Sequence, residues 1–163
     1  MAEHRFFGRR VSGLPLVALV LALLAGCASA PPPPPKPTVI SATLDATAGV
    51  NPDAKGRASP IVVRVFELKS VAAFNNADFF SLWDRERETL SAEMVGRDEF
   101  QLRPGEQKKF ERTLQPDTRY VGVIAAFRDL ERSNWRSSTA IVLNQKQPVG
   151  IMLGAREVSI SGR

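Results

Sequence analysis

Few residues in this chain can do chemistry, and the first of them is a cysteine. Leu24, Ala25, Gly26 and Cys27 close an apolar run that follows a basic N-terminus carrying Arg5, Arg9 and Arg10. Cys27 is the only cysteine, so it has no partner in the chain for a disulfide. Its thiol is instead a nucleophile able to take a thioether-linked diacylglycerol, and the small side chains of Ala25 and Gly26 suit the pocket of a peptidase that cuts before it. Basic residues, an apolar stretch over 14–24 and small residues at its end are the three parts of an export signal. That stretch is too short to span a bilayer, which takes roughly 20 apolar residues, and it meets a proline block that no helix continues through. Residues 1–26 therefore read as a lipoprotein signal peptide. Cys27 becomes the first residue of the mature chain, carrying covalent diacylglycerol and an N-acyl chain, with no other cofactor expected. An ordinary secretory signal with an incidental cysteine is the competing reading.

The only histidine, His4, lies in the part removed. With neither imidazole nor free thiol left, histidine acid–base chemistry, Ser-His-Asp hydrolysis, thiol catalysis and zinc sites with nitrogen or sulfur ligands are closed to the mature chain. A pair of carboxylates, as in a glycosidase, survives that exclusion, but no pattern in the sequence places two of them in a cleft. The chain is read as a non-enzyme, with no catalytic residue and no metal ligand. Losing residues 1–26 takes the basic and acidic counts from 22 and 17 to 19 and 16, so the net charge falls from +5 to +3. No basic cluster with interleaved aromatics occurs, which argues against a nucleic-acid partner.

Behind the cysteine the chain must supply a spacer and a scaffold. Residues 27–37 hold Pro31, Pro32, Pro33, Pro34, Pro35 and Pro37. Consecutive prolines adopt polyproline II at about 3.1 Å per residue, enough to hold a domain on the order of 30 Å from the acyl chains. By resemblance to enterobacterial sorting, in which aspartate after the acylated cysteine retains a lipoprotein in the inner membrane, Ala28 implies the outer membrane. Residues 38–163 have the length of one domain with a single core.

Residues 39–48 alternate, with Ile40, Ala42, Leu44, Ala46 and Ala48 on one face and Ser41, Thr43, Asp45 and Thr47 on the other, which is the period of a half-buried strand. Residues 49–60 carry turn chemistry in Gly49, Asn51-Pro52 and Gly56, and the β-branched run 61–66 is a second, largely buried strand. Between about 70 and 94 the pattern turns helical. Ser70 and Asp78 are candidate caps, Phe74, Phe79, Phe80 and Trp83 the hydrophobic attachment, and Asp84 to Glu88 a solvated helix face. Residues 98–102 and 108–114, joined by a turn at Arg103-Pro104-Gly105-Glu106, look like a hairpin. Residues 120–127 are apolar on both faces and predict a central strand. Residues 136–143 and 149–153 follow, joined by 144–147, with 157–160 as a possible last strand. About seven or eight short strands at this spacing predict a mainly β fold, a two-sheet antiparallel β-sandwich with a short helical insertion. Arg128, Asp129, Glu131, Arg132 and Arg136 form a charged cluster after the central strand, read as an internal ion-pair network.

In this order the motifs carry a resemblance. Asn51-Pro52-Asp53 with Gly56-Arg57 and Ser59-Pro60, the strand from Ile61 to Leu68, Phe74 with Asp78-Phe79-Phe80, the Leu102 to Glu106 turn and residues 120–136, together with the cysteine signal, resemble the TssJ (VasD or SciN) family of the bacterial type VI secretion system. The likeness covers roughly residues 44–160. It implies a transthyretin-like sandwich, anchored through lipid in the outer membrane and facing the periplasm. The implied partner is the periplasmic C-terminal domain of a TssM-like inner-membrane protein, and indirectly TssL. It also implies that the loop between the first two strands binds that partner, which here places the contact on Asn51, Pro52, Asp53, Ala54, Lys55, Gly56, Arg57 and Ser59. The residues themselves agree that an exposed loop with donors and both charge signs suits recognition, while Asn51-Pro52 and Gly56 would serve equally to shape the connection. A generic periplasm-facing lipoprotein whose sandwich binds a small ligand or another envelope protein is the alternative.

Overall fold

The computed structural model describes residues 32–162. A first sheet has the order β4-β1-β7-β8, from β1 (Val39–Ala46), β4 (Gln107–Thr113), β7 (Lys146–Leu153) and β8 (Val158–Gly162). A second has the order β3-β2-β5-β6, from β2 (Ile61–Leu68), β3 (Met94–Leu102), β5 (Tyr120–Ala125) and β6 (Arg136–Ala140). Pairing is antiparallel throughout except for β1 and β7, which run in the same direction. The chain alternates direction from strand to strand, so the connections after odd-numbered strands gather at one pole. Those after even-numbered strands gather at the other, where the chain enters β1.

Alternation puts Ile40, Ala42, Leu44 and Ala46 of β1 and Val149, Ile151 and Leu153 of β7 into the space between the sheets. Ile61, Val63 and Val65 of β2 and Val121, Val123 and Ala125 of β5 face them. Each valine, leucine or isoleucine so removed from water contributes about 1.5 to 3 kcal/mol before entropy is subtracted. The outer face of the first sheet meets solvent, which is why β1 and β7 read as alternating.

The second sheet is covered on both sides. Its outer residues Phe66, Leu68 and Ile124 lie under three short helices, α1 (Ala72–Asn76), α2 (Phe79–Asp84) and α3 (Glu86–Leu90), which bury Phe74, Leu82 and Leu90 against them. The double burial explains the unbroken apolar run of β5. Contact is close enough that a Cβ on Gly122 would lie 2.9 Å from both Leu68 Cδ1 and Phe74 Cζ, so only glycine fits there. Asp78 caps α2, accepting from Ser81 N at 2.9 Å and Ser81 Oγ at 2.7 Å, and Ser70 Oγ accepts from Ala72 N at the start of α1. Among the described residues no helix is long and apolar enough to cross a membrane.

Several expectations are corrected. The strands around Arg103 to Glu106 are not a hairpin. The turn is tight, with Glu106 N donating to Arg103 O at 3.0 Å, yet β3 pairs with β2 and β4 with β1. A turn reverses the chain without choosing the strand's partner, and here the two strands meet face to face, Phe100 stacking on Phe110 at 4.9 Å between centroids. Phe80 does not attach the insertion: it is 63 % exposed, its ring edge-on to Phe79. Nor is Asp84 to Glu88 wholly solvated. Glu86 pairs with Arg64 at 2.8 Å and with Arg97 at 2.9 Å, and the Arg64 guanidinium lies 4.0 Å from the Trp83 ring centroid. β7 begins at Lys146 rather than Val149 despite Pro148, because pairing with β8 starts only at Val149 and asks no N–H of the proline on that side.

A buried charge also lies in β2. Glu67 is 4 % exposed and accepts from Gln115 N at 3.0 Å and Thr118 Oγ1 at 2.9 Å, while Arg112 of β4 meets it at 3.0 Å and also reaches Asp98 of β3. The network ties the two edge strands together across the sandwich.

Candidate functional site

The loop of residues 49–60 carries the chain from the first sheet to the second, and its base is fastened from within. Val50, fully buried, anchors it in the core, and Ser59 N donates to Val50 O at 3.1 Å. Asn51 follows in the left-handed region at φ 51°, which asparagine tolerates better than most residues. Its side chain is 3 % exposed and bonded at both ends, Nδ2 donating to Pro60 O at 2.8 Å and Oδ1 accepting from Arg128 N at 2.8 Å. Asn51 thus joins this loop to the one after β5, and its amide is not available to a partner.

Asp53 builds the tip. Its Oδ1 accepts from Lys55 N at 2.8 Å and Arg57 N at 3.0 Å, and its Oδ2 meets Arg57 Nε at 2.8 Å and the second guanidinium nitrogen at 2.7 Å. Gly56 N donates to Asp53 O at 2.9 Å, closing a turn that needs glycine at φ 78°. Hydrogen bonds from Arg57, first through its side chain and then its amide, hold the Asp53 carboxyl below the usual value near 3.8, with Lys55 N and the charge of Arg128 adding to the effect. What remains for a partner is the rim. Ala54, Lys55, Gly56 and Arg57 are exposed, while Pro52 and Ser59 are half-buried.

Three further connections share this pole, and those after β5 and β7 face the loop. Asp129, after β5, accepts Arg132 Nε at 2.9 Å and Arg156 Nε, from the β7–β8 connection, at 3.3 Å. Asn134 N donates to Arg156 O at 2.9 Å. An open cleft of about 590 Å³ runs between these groups and the tip, lined by Pro52, Asp53, Ala54 and Gly56 on one side and Arg128, Asp129, Arg132 and Arg156 on the other. The cluster expected from sequence is therefore redrawn. Arg136 leaves it, donating to Phe74 O at 3.1 Å and Ala77 O at 2.6 Å to finish α1. Arg156 takes its place, a residue that strand parity alone could have flagged, since connections after β1, β5 and β7 share one pole. Cys27 and Ala28 lie outside the described residues.

The space between the sheets, where a small ligand would have to sit, holds Leu44, Val63 and Val123, each 0 % exposed. The loop pole instead offers a polar surface whose loops are held by internal hydrogen bonds.

The family of type VI secretion lipoproteins described as VasD, EvfM and TssJ matches the chain over residues 38–156. The chain belongs to this family. It is similar to the type VI secretion lipoprotein TssJ1 from Pseudomonas aeruginosa, at 42% identity over 80% of this chain and 98% of that one, with a TM-score of 0.73. Similarity to Lip of Serratia marcescens, a membrane-bound component of the type VI secretion system, is 31% over 78% and 98%, with a TM-score of 0.71. A chain in the structure of the TssM C-terminal domain (869–1107) from EAEC shares the fold, at 21% identity over 76% and 97% and a TM-score of 0.64. No curated protein matches the sequence. The family's β-sandwich is the architecture described above.

Proposed function

We propose that this chain is the acylated outer-membrane lipoprotein of a type VI secretion envelope complex, and that it anchors that complex by binding the periplasmic domain of a TssM-like inner-membrane protein through the loop pole. Family membership over residues 38–156, with 42% identity to TssJ1, is the observation that carries this reading. The local geometry supports it. The loop is fastened at its base, exposed at its tip, and set at the end of the sandwich opposite the entry of the chain into β1. In this role the chain is a binding scaffold and not a catalyst. Ala28 directs sorting to the outer membrane, and contact with TssL runs through TssM.

Two measurements test the reading. Titrating a TssM-like periplasmic domain into the mature chain by calorimetry should give saturable binding, and no heat together with no co-purification would end it. Metabolic labelling with an alkyne fatty acid should tag the wild type and not Cys27→Ser. Equal labelling of the two would remove the lipid anchor from the proposal.

A further inference from the structure

Arg128, Arg132 and Arg156 converge on the cleft beside the loop, facing only two carboxylates, Asp53 and Asp129. Both are already engaged, Asp53 by Arg57 and the amides of its own turn, Asp129 by Arg132 and Arg156. Glu131 and Glu157 belong to the same loops but do not line the cleft. Arg128 is exposed, and its guanidinium has no hydrogen bond or ion pair among the described residues. Arg132 and Arg156 remain 75% and 52% exposed, so most of their donors still face water.

The cleft therefore offers more guanidinium donors than it holds acceptors, and two of its three arginines are held by an ion pair. Asn51 clasps the backbone of Arg128, and Asp129 orients the other two arginines. Groups already ordered lose little entropy on binding, and a guanidinium fork matches a carboxylate through two parallel bonds. We infer that this cleft receives a carboxylate of the protein partner, an Asp or Glu side chain seated between Arg128 and the Arg132–Arg156 pair. Anionic lipid headgroups are the other plentiful anions in an envelope, but the cleft lies at the pole opposite the entry into β1. The inference rests on the partner reading above and adds the chemistry of the contact.

The test is calorimetry of the mature chain with the TssM-like periplasmic domain at low and high salt. Arg128→Ala with Arg132→Ala should weaken binding about tenfold or more, the scale of a charge-assisted pair, and flatten its salt dependence. Lys109→Ala, which removes an exposed charge from β4, should leave both unchanged. Arg128→Lys should restore affinity only in part, because it keeps the charge and loses the fork. Thermal unfolding of the double variant should match wild type, since the backbone amide that Asn51 uses is retained. Unchanged affinity and salt dependence in the double variant would overturn the inference while leaving the partner reading intact. An equal loss in Lys109→Ala would overturn it as well, by assigning the effect to overall charge. Failure of the wild-type chain to bind would overturn both.

Discussion

The helical layer over the second sheet and the loop pole are both irregular additions to a sandwich, yet different forces hold them in place. The helices are too short to stand alone, since a helix below about 12 residues is marginal in water. They persist because Phe74, Leu82 and Leu90 are buried against Phe66, Leu68 and Ile124. The loop buries little beyond Val50, and its shape comes from hydrogen bonds of two side chains, Asn51 and Asp53. Apolar burial uses up the side chains that make it, so Phe74, Leu82 and Leu90 are closed to a partner and act as scaffold. Polar clasps work from inside and below. They leave Ala54, Lys55 and Arg57 exposed on a fixed backbone, which is what recognition requires.

The largest effect should come from breaking the apolar side of this contrast. Phe74→Ala removes a fully buried ring and should cost about 3 to 5 kcal/mol in denaturant unfolding. A loss below about 1 kcal/mol, the order of a surface change, would mean the helical layer is not part of the cooperative unit. Next comes Asn51→Ala, which strands Pro60 O and Arg128 N and puts alanine at positive φ. It should cost about 2 to 3 kcal/mol and weaken the partner complex without removing a direct contact. If it proves harmless, the clasp between the two loops is not what orders the pole.

Smaller effects sharpen the same contrast. Replacing Ala54 with Gly and Lys55 with Ser alters the exposed tip while sparing Asp53, and should move stability by no more than about 0.5 kcal/mol. A large fall in melting temperature would show the tip to be structural. Asp53 itself should be kept in such tests, because it organises the turn. The subtlest prediction is its titration. The carboxyl is held below its ordinary value near 3.8, so the ordering it contributes is complete above that value and is lost as pH falls through the depressed one. Carboxyl-detected NMR should find this shift in the wild type and a rise towards the ordinary value in Arg57→Ala. An identical titration in both would assign the turn to its backbone bonds alone.

Much of this molecule was legible in its sequence because the relevant physics is local. The alternation of Ile40, Ala42 and Leu44 shows a strand with one wet face, the double-sided run from Val121 to Ala125 one covered twice, and Asp78 ahead of Phe79 a capped helix, each within a few residues. The family motifs within residues 38–156 are equally contiguous. What the sequence could not show is which distant groups meet. The turn at Arg103 to Glu106 looks the same whether its strands pair or face each other across the core. Glu67 and Arg112 look like surface charges until the two sheets close on them. Arg136 and Arg156 exchange places for the same reason: a guanidinium on a long stem goes to whichever carbonyl or carboxylate the packed strands bring within reach. Local pattern thus determined the elements, and packing of the two sheets decided the partners of each edge and the membership of the charged cleft, because pairing and ion contacts depend on distances that only the closed fold sets.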